Sequence, residues 1–205
     1  MTQNQTVFVI DDDPAVRDSL RWLIESLQHP VETFESAQDF LDNYASDRSG
    51  CLLLDVRLPG MSGLQLQSKL KEMQVDIPVI IITGHGDVPM AVRALQAGAM
   101  HFLEKPFRDQ ELLDSVQEAL ELDQRKRGHQ ALRQSILDHI EKLTPREYEI
   151  MKDIVRGNTN KAIGAKHGIS VKTVEVHRTR VMSKMEADSL PELVRMVLTV
   201  EPDES

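Results

Sequence analysis

The chain has 205 residues, 24 of them Lys or Arg and 33 Asp or Glu, for a formal charge of −9, and 40% are hydrophobic. This leaves room for one or two domains with ordinary aliphatic cores and excludes disorder along the whole length. A single cysteine, Cys51, excludes a disulfide framework and a multi-cysteine zinc site, and no apolar run nears the ~20 residues that span a bilayer.

From the N-terminus, MTQNQTVFVIDDD lacks both a basic n-region and a long apolar stretch. A secretory leader is therefore not expected, and the expectation is a cytoplasmic protein with no membrane partner. Short apolar runs then alternate with helical spacing. Val7–Ile10 reads as a strand, followed by a helix through Arg17–Leu27. Val31–Phe34 is a second strand, and Ser36 with Asp39 opens a helix over Ala37–Tyr44 as a capping box. Cys51–Leu54, Val79–Ile82 and Met100–Leu103 complete five strands, with helices at Gly63–Met73, Val88–Ala97 and Asp109–Leu122. Unbroken apolar runs fit strands covered on both faces, so the expected fold class is α/β, an open parallel sheet with right-handed crossovers.

The polar residues gather at strand ends. Asp11, Asp12 and Asp13 follow the first strand, Asp55 ends the third, Thr83 the fourth, and Lys105 follows the fifth. In a parallel sheet these ends share one edge, where ligands bind near the topological switch point. A strand order 2-1-3-4-5 would bring Asp11, Asp12 and Asp55 into one pocket flanked by Thr83 and Lys105. Crowded carboxylates repel one another, and a hard divalent cation such as Mg²⁺ relieves this. Asp55 could then act as a nucleophile toward phosphorus, with Lys105 and the Thr83 hydroxyl stabilising phosphoryl oxygens. Taken singly, each has a plain reading as a turn, cap or loop residue. The placement of all of them at strand ends points to chemistry.

The strings VFVIDDD, LLLDVRLPGMSG, IIITGHGD and HFLEKPF, spread over roughly residues 5–122, resemble the receiver domain of two-component response regulators. GHGDVPMAV is similar to the FixJ-like subgroup. The resemblance implies a flavodoxin-like five-stranded sheet over residues 1–122, with Asp55 as phosphoacceptor. Asp11, Asp12, Asp55 and the Arg57 backbone carbonyl would hold Mg²⁺. Thr83 would be the switch hydroxyl, Phe102 the switch aromatic, and Lys105 the phosphoryl contact, across a cis Lys105–Pro106 bond.

Charge changes sign along the chain. Residues 1–122 hold 9 basic and 20 acidic residues, whereas residues 123–205 hold 15 and 13. Residues 123–142 carry Leu132, Ile136 and Ile140 at helical spacing with Gly128 between, and read as a helical linker. The triplet Arg125-Lys126-Arg127 reads as a solvated helix end, with nucleic-acid contact left open. Four short helices follow. Thr144-Pro145-Arg146-Glu147 opens the first and Gly157 ends it. The second spans about Asn160–His167 and Gly168 closes it. The third is capped by Ser170 and runs to about Met185. The fourth is opened by Ser189-Leu190-Pro191-Glu192 and ends near Val200. Two short helices around a tight glycine turn read as a helix-turn-helix. On the third helix Val174, His177, Val181 and Met185 share an inward face. Lys172, Thr173, Glu175, Val176, Thr179 and Arg180 face outward, and such a basic face suits the DNA major groove.

LTPREYEIMKDIVRGNTNKAIGAKHGIS and VKTVEVHRTRVMSKM resemble a LuxR-type (GerE) helix-turn-helix domain, here over residues 143–205. That resemblance implies base contacts from Glu175, Val176 and Thr179. It implies phosphate contacts from Lys161, Lys172, Thr173, Arg178, Arg180 and Lys184. About five phosphate contacts per subunit would give a dimer a log–log salt slope of magnitude up to about 9. Together the two resemblances imply a transcriptional response regulator rather than an enzyme, apart from self-phosphorylation and autodephosphorylation at Asp55. Its partners would be a sensor histidine kinase, double-stranded promoter DNA, a second copy through residues 88–104, and RNA polymerase. Two rival readings are a Mg²⁺-dependent phosphatase or transferase, which leaves the helix-turn-helix idle, and a protein-binding adaptor, which leaves the basic helix face idle.

Overall fold

A computed structural model describes residues 5–84 and 86–200. Residues 1–4 and 201–205, counted above within the two domains, and His85 of the GHGD string lie outside the described residues. The strands are β1 (Thr6–Ile10), β2 (Val31–Phe34), β3 (Gly50–Asp55), β4 (Val79–Thr83) and β5 (His101–Glu104). Between and after them come α1 (Pro14–Glu25), α2 (Ala37–Asn43), α3 (Gly63–Glu72), α4 (Val88–Gln96) and α5 (Asp109–Glu141). The remaining helices are α6 (Pro145–Val155), α7 (Asn160–His167), α8 (Val171–Lys184) and α9 (Leu190–Val200). The five strands form one parallel sheet in the order β2-β1-β3-β4-β5, the expected topology.

Every residue of β1, β3 and β4 is buried, because alternate side chains feed two separate cores. Phe8, Ile10, Leu52, Leu54 and Ile81 meet Phe40 of α2, Leu66 and Leu70 of α3, and Ala94 of α4. Val7, Val9, Leu53, Ile80 and Ile82 meet Leu20 and Ile24 of α1 and Leu112, Val116 and Leu120 of α5. Each of these large side chains contributes about 1.5–3 kcal/mol by burial. A slip of one residue would send each strand's side chains into the opposite core, so the two layers fix the register that sets the strand ends. Helix starts differ from the sequence reading where a cap decides them. α1 begins at Pro14, ahead of Arg17, since the Asp13 carboxylate accepts from the Ala15 N–H at 2.8 Å. α2 begins at Ala37 as expected, with Ser36 accepting from the Asp39 N–H, but the capping box is not completed: the Asp39 carboxylate accepts from Asn43 Nδ2 at 3.0 Å.

α5 does not end at Leu122; it continues through Gly128 to Glu141. The Asp123 carboxylate, 1% exposed, accepts from the Ser49 hydroxyl at 2.5 Å, the Gly50 N–H at 2.9 Å and Arg127 Nε at 2.9 Å. Arg127 also donates to the carbonyls of Asp47 and Arg48, and Lys126 pairs with Asp76 at 2.6 Å. Two members of the basic triplet are thus engaged by the sheet domain. Farther along, Ile136 is 2% exposed and joins a third core with Ile150, Ile154, Ile163, Val174, Val181 and Leu193. The chain divides into compact units between Arg127 and Gly128, so residues 123–142 are shared between the units. No helix among the described residues is long and apolar enough to cross a membrane.

Asp123→Ala should lower the stability of the first unit by about 2 kcal/mol, since it leaves the buried Gly50 N–H without its acceptor and removes the partner of Ser49 and of Arg127 Nε. Urea unfolding followed by hydrogen exchange of the β1 and β3 amides checks this. The amides of α6–α9 should be unaffected.

Candidate functional site

Pairing in register, with Ile10 opposite Leu54 and Asp55 opposite Ile82, aligns the ends of β1, β3 and β4. The carboxylates of Asp11, Asp12 and Asp55 each present an oxygen within 4.8 Å of the others. Asp11, Asp55 and Thr83 are buried, at 1%, 7% and 0% exposure, whereas Asp12 is exposed. Lys105, just past β5, reaches across with Nζ 2.6 Å from Asp11 Oδ2 and 3.7 Å from Asp55 Oδ2. Its backbone N–H donates to the Thr83 carbonyl at 2.8 Å, and the Lys105–Pro106 bond is cis. Arg57 is exposed, and its N–H donates to Asp55 Oδ1 at 3.4 Å.

Burial raises the Asp55 pKa above the usual carboxylate range. The Lys105 charge opposes the rise, Asp11 adds to it, and the Arg57 and Val56 N–H groups lower it. Gly63 gives the site a constraint that the sequence reading missed. A Cβ there would lie 2.2 Å from the Asp55 carbonyl oxygen, so only glycine lets the start of α3 abut the phosphoacceptor candidate. Phe102 on β5 is half-buried against the α2–α4 core. Its ring lies over Gly86, where a Cβ would come within 3.0 Å.

In the second unit, α7 and α8 form the expected helix-turn-helix, with Gly168 closing α7 at φ +65°. The turn passes so close to α7 that a Cβ on Gly164 would lie 2.8 Å from the Ile169 carbonyl oxygen. Val174, Val181 and Met185 are wholly buried, while His177 is only half-buried and its Nδ1 has no hydrogen-bond partner among the described residues. Lys161, Lys172, Thr173, Glu175, Val176, Thr179 and Arg180 are exposed, and Arg178 is half-buried. The Thr179 hydroxyl donates to the Glu175 carbonyl at 3.1 Å. The Thr173 hydroxyl shares a 2.8 Å bond with Ser170, whose Oγ also caps α8.

Residues 7–117 match the response regulator receiver domain, and residues 141–197 match the bacterial regulatory proteins of the luxR family. The transcriptional regulatory protein FixJ of Bradyrhizobium diazoefficiens is 42% identical over 198 residues, 97% of each chain. The response regulator protein TodT of Pseudomonas putida is 43% identical over 93% of this chain and 84% of its own. The solved structure of the response regulator StyR superposes with a TM-score of 0.88 at 43% identity, covering 95% of this chain and 98% of that one.

This chain belongs to the two-component response regulators. It joins a receiver to a LuxR-type DNA-binding domain.

In this response regulator the DNA-binding unit carries two buried acids, of which the sequence showed only the capping role of Glu147. Glu147, 3% exposed, accepts from the Thr144 N–H at 2.9 Å as a capping-box residue and from Lys184 Nζ at 2.6 Å. The Lys184 bond, the Thr144 N–H and the Lys184 charge hold its pKa at about 2. Lys184, expected above as a phosphate contact, is thereby held by a buried carboxylate that joins the end of α8 to the start of α6. Asp153, 1% exposed, accepts from Lys166 and from His167 Nε2, both at 2.6 Å. Burial raises its pKa, and the Lys166 and His167 bonds together carry it below the ordinary value. Arg146 Nη1 lies 2.9 Å from His167 Nδ1. Because guanidinium only donates, Nδ1 must accept and Nε2 must carry the hydrogen.

Glu147 falls from an ordinary 4.5 to about 2 on folding, so its stabilisation is full above pH 4.5 and fades as pH drops toward 2. Glu147→Gln should cost the DNA-binding unit about 2–4 kcal/mol at pH 7. Chemical denaturation across this pH range should show the variant and the parent converging at the acid end.

Proposed function

We propose that this regulator accepts a phosphoryl group on Asp55 from a histidine kinase in the cytoplasm and, once phosphorylated, pairs on promoter DNA. The carrying observation is the convergence of Asp11, Asp12 and Asp55 within 4.8 Å, faced by Lys105. In the transfer, an Asp55 oxygen attacks the phosphorus of a phosphohistidine. A P–O bond forms as the P–N bond breaks, and the electron pair returns to the imidazole. Water later cleaves the acyl phosphate, restoring the carboxylate. Mg²⁺ suits a donor set of Asp11, Asp12, Asp55 and the Arg57 carbonyl, because it takes oxygen ligands while keeping several waters. When bound it supplies positive charge against the phosphoryl oxygens. Lys105 adds a second positive charge, and the Thr83 hydroxyl a hydrogen bond.

Phosphorylation adds about −1.5 to −2 charge at Asp55. In this reading Thr83 and Lys105 close on the new oxygens, and Phe102 turns into the space behind Thr83. This shifts a pre-existing two-state equilibrium, and moving it from 1:99 to 99:1 needs about 5.5 kcal/mol of differential stabilisation. The surface over residues 88–104 then pairs two copies. On α4, Val88, Val92 and Leu95 are exposed by 77%, 45% and 49%, an apolar strip suited to an isologous contact. The paired DNA-binding units present α8 to the major groove of a two-fold site, where the bound dimer engages RNA polymerase. Glu175, Val176 and Thr179 face base edges, while Lys161, Lys172, Thr173, Arg178 and Arg180 approach phosphates. Lys184, bound to Glu147, acts by holding α8 in place.

Footprinting on genomic DNA with and without acetyl phosphate and Mg²⁺ tests the switch. The phosphorylated chain should protect its sites at about 10-fold or lower concentration. Asp55→Asn should abolish that gain, and equal protection in all cases would reject phosphorylation control. For the interface, Arg180→Ala should weaken binding similarly on all duplexes and reduce the salt slope by about 1 per subunit. Glu175→Gln should instead change sequence preference, read by competition between base-substituted duplexes.

A further inference from the structure

The acidic pocket does not hold its three carboxylates equally. Asp11 is fixed at both oxygens, since Oδ1 accepts from the Asp13 N–H at 3.0 Å and Oδ2 from Lys105 Nζ at 2.6 Å. Asp55 is the last residue of β3 and lies opposite Ile82 of β4, while the preceding Leu54 pairs with Ile10 of β1. Asp12 is exposed, and its carboxylate has no hydrogen bond or ion pair among the described residues. Among the described residues, only the backbone path limits where that carboxylate can reach. Arg17, one turn into α1, governs that backbone. Its Nη1 donates to the Asp11 carbonyl at 2.7 Å and to the Asp12 carbonyl at 3.1 Å. One guanidinium nitrogen thus ties two successive peptide units of the β1–α1 loop to the helix that follows.

We infer that Arg17 is a positioning residue for the metal site, holding the Asp11–Asp12 backbone so that the Asp12 carboxylate is aimed at the ion. Three consecutive acids repel one another, and without a tether the loop relaxes toward conformations that separate them. The Arg17 side chain bonds to both carbonyl oxygens while leaving the carboxylate oxygens free for a cation. The two N–H groups of Nη1 lie in the guanidinium plane, one for each carbonyl. A lysine ammonium has enough donors but sits on a shorter, freely rotating stem and fixes the two peptide units less firmly. Groups that orient metal ligands in this way typically govern affinity by about 10–100-fold. The sequence gives the spacing a simple basis. Asp13 caps α1 and the Arg17 N–H bonds to the Asp13 carbonyl at 3.0 Å, so the Arg17 side chain rises from the turn nearest the loop.

The inference rests on the Mg²⁺ and Asp55 reading above, and one experiment separates the two. Mg²⁺ affinity of the full chain is measured by calorimetry for the parent, Arg17→Met and Arg17→Lys, beside metal-free thermal melting. The rate of Asp55 labelling by acetyl phosphate is then followed as a function of Mg²⁺. Arg17→Met should weaken Mg²⁺ about 10-fold, with Arg17→Lys intermediate. The metal-free melting midpoint should stay near the parent's, and saturating Mg²⁺ should restore the labelling rate. Parental affinity in Arg17→Met, a labelling rate that excess Mg²⁺ leaves depressed, or affinity loss that only tracks a fall in melting temperature overturns the positioning role. A parent chain that binds no Mg²⁺ overturns the underlying reading, and this inference with it.

Discussion

Two buried carboxylates on neighbouring strands, bridged by one lysine, form the constraint around which the receiver is organised. Asp11 and Asp55 meet because β1 and β3 pair in register, and Lys105 spans them at 2.6 and 3.7 Å. Like charges in a low-dielectric pocket would otherwise cost stability or take up protons. Burial keeps the Asp55 pKa raised even with Lys105 present. Three carboxylates therefore face a single lysine in this pocket. The apolar strands supply the rigidity that such a site needs. β1, β3 and β4 are buried at every position, so a strain at their ends cannot be absorbed by sliding the sheet.

The DNA-binding unit uses acids in a different way. Glu147 and Asp153 are as buried as Asp11, but each is fully compensated. Glu147 is held by Thr144 and Lys184, and Asp153 by Lys166 and His167. These pairs cross-link α6 to α7 and to α8, so the recognition helix is braced by charge as well as by Val174, Val181 and Met185. Removing the basic partner of either acid leaves a buried carboxylate under-compensated, which is why these bridges specify geometry more than they add net stability. The same reasoning separates Lys184 from the cations around it. Lys161, Lys172 and Arg180 are exposed and available to phosphates, whereas Lys184 neutralises a carboxylate within its own domain.

Much of the molecule was legible in sequence for identifiable reasons. Strands buried on both faces read as unbroken apolar runs, which placed Asp11, Asp12, Asp55, Thr83 and Lys105 at strand ends, and the order β2-β1-β3-β4-β5 then brings those ends together. Caps such as Thr144 with Glu147 and Ser170 fixed helix starts to within a residue. The continuation of α5 past Leu122 as one helix was not legible. Gly128 looked like a break, yet α5 continues through it, because Asp123, Lys126 and Arg127 find partners on loops distant in sequence. His177 was expected on the inward face of α8 and proved only half-buried.

Periodicity, strand-end chemistry and helix punctuation are local properties of the chain, so the sequence alone determined the alternating α/β half, the helical half, the acidic cluster and the outward basic face of α8. Contacts between residues far apart in the chain were decided only by tertiary structure. These include the reach of Lys105 to Asp11, the tight seat of Gly63 against Asp55, the grip of Asp123 on Gly50, and the pairing of Glu147 with Lys184. Each depends on distances between elements that no local pattern encodes, and on burial that turns an ordinary charged side chain into a structural constraint.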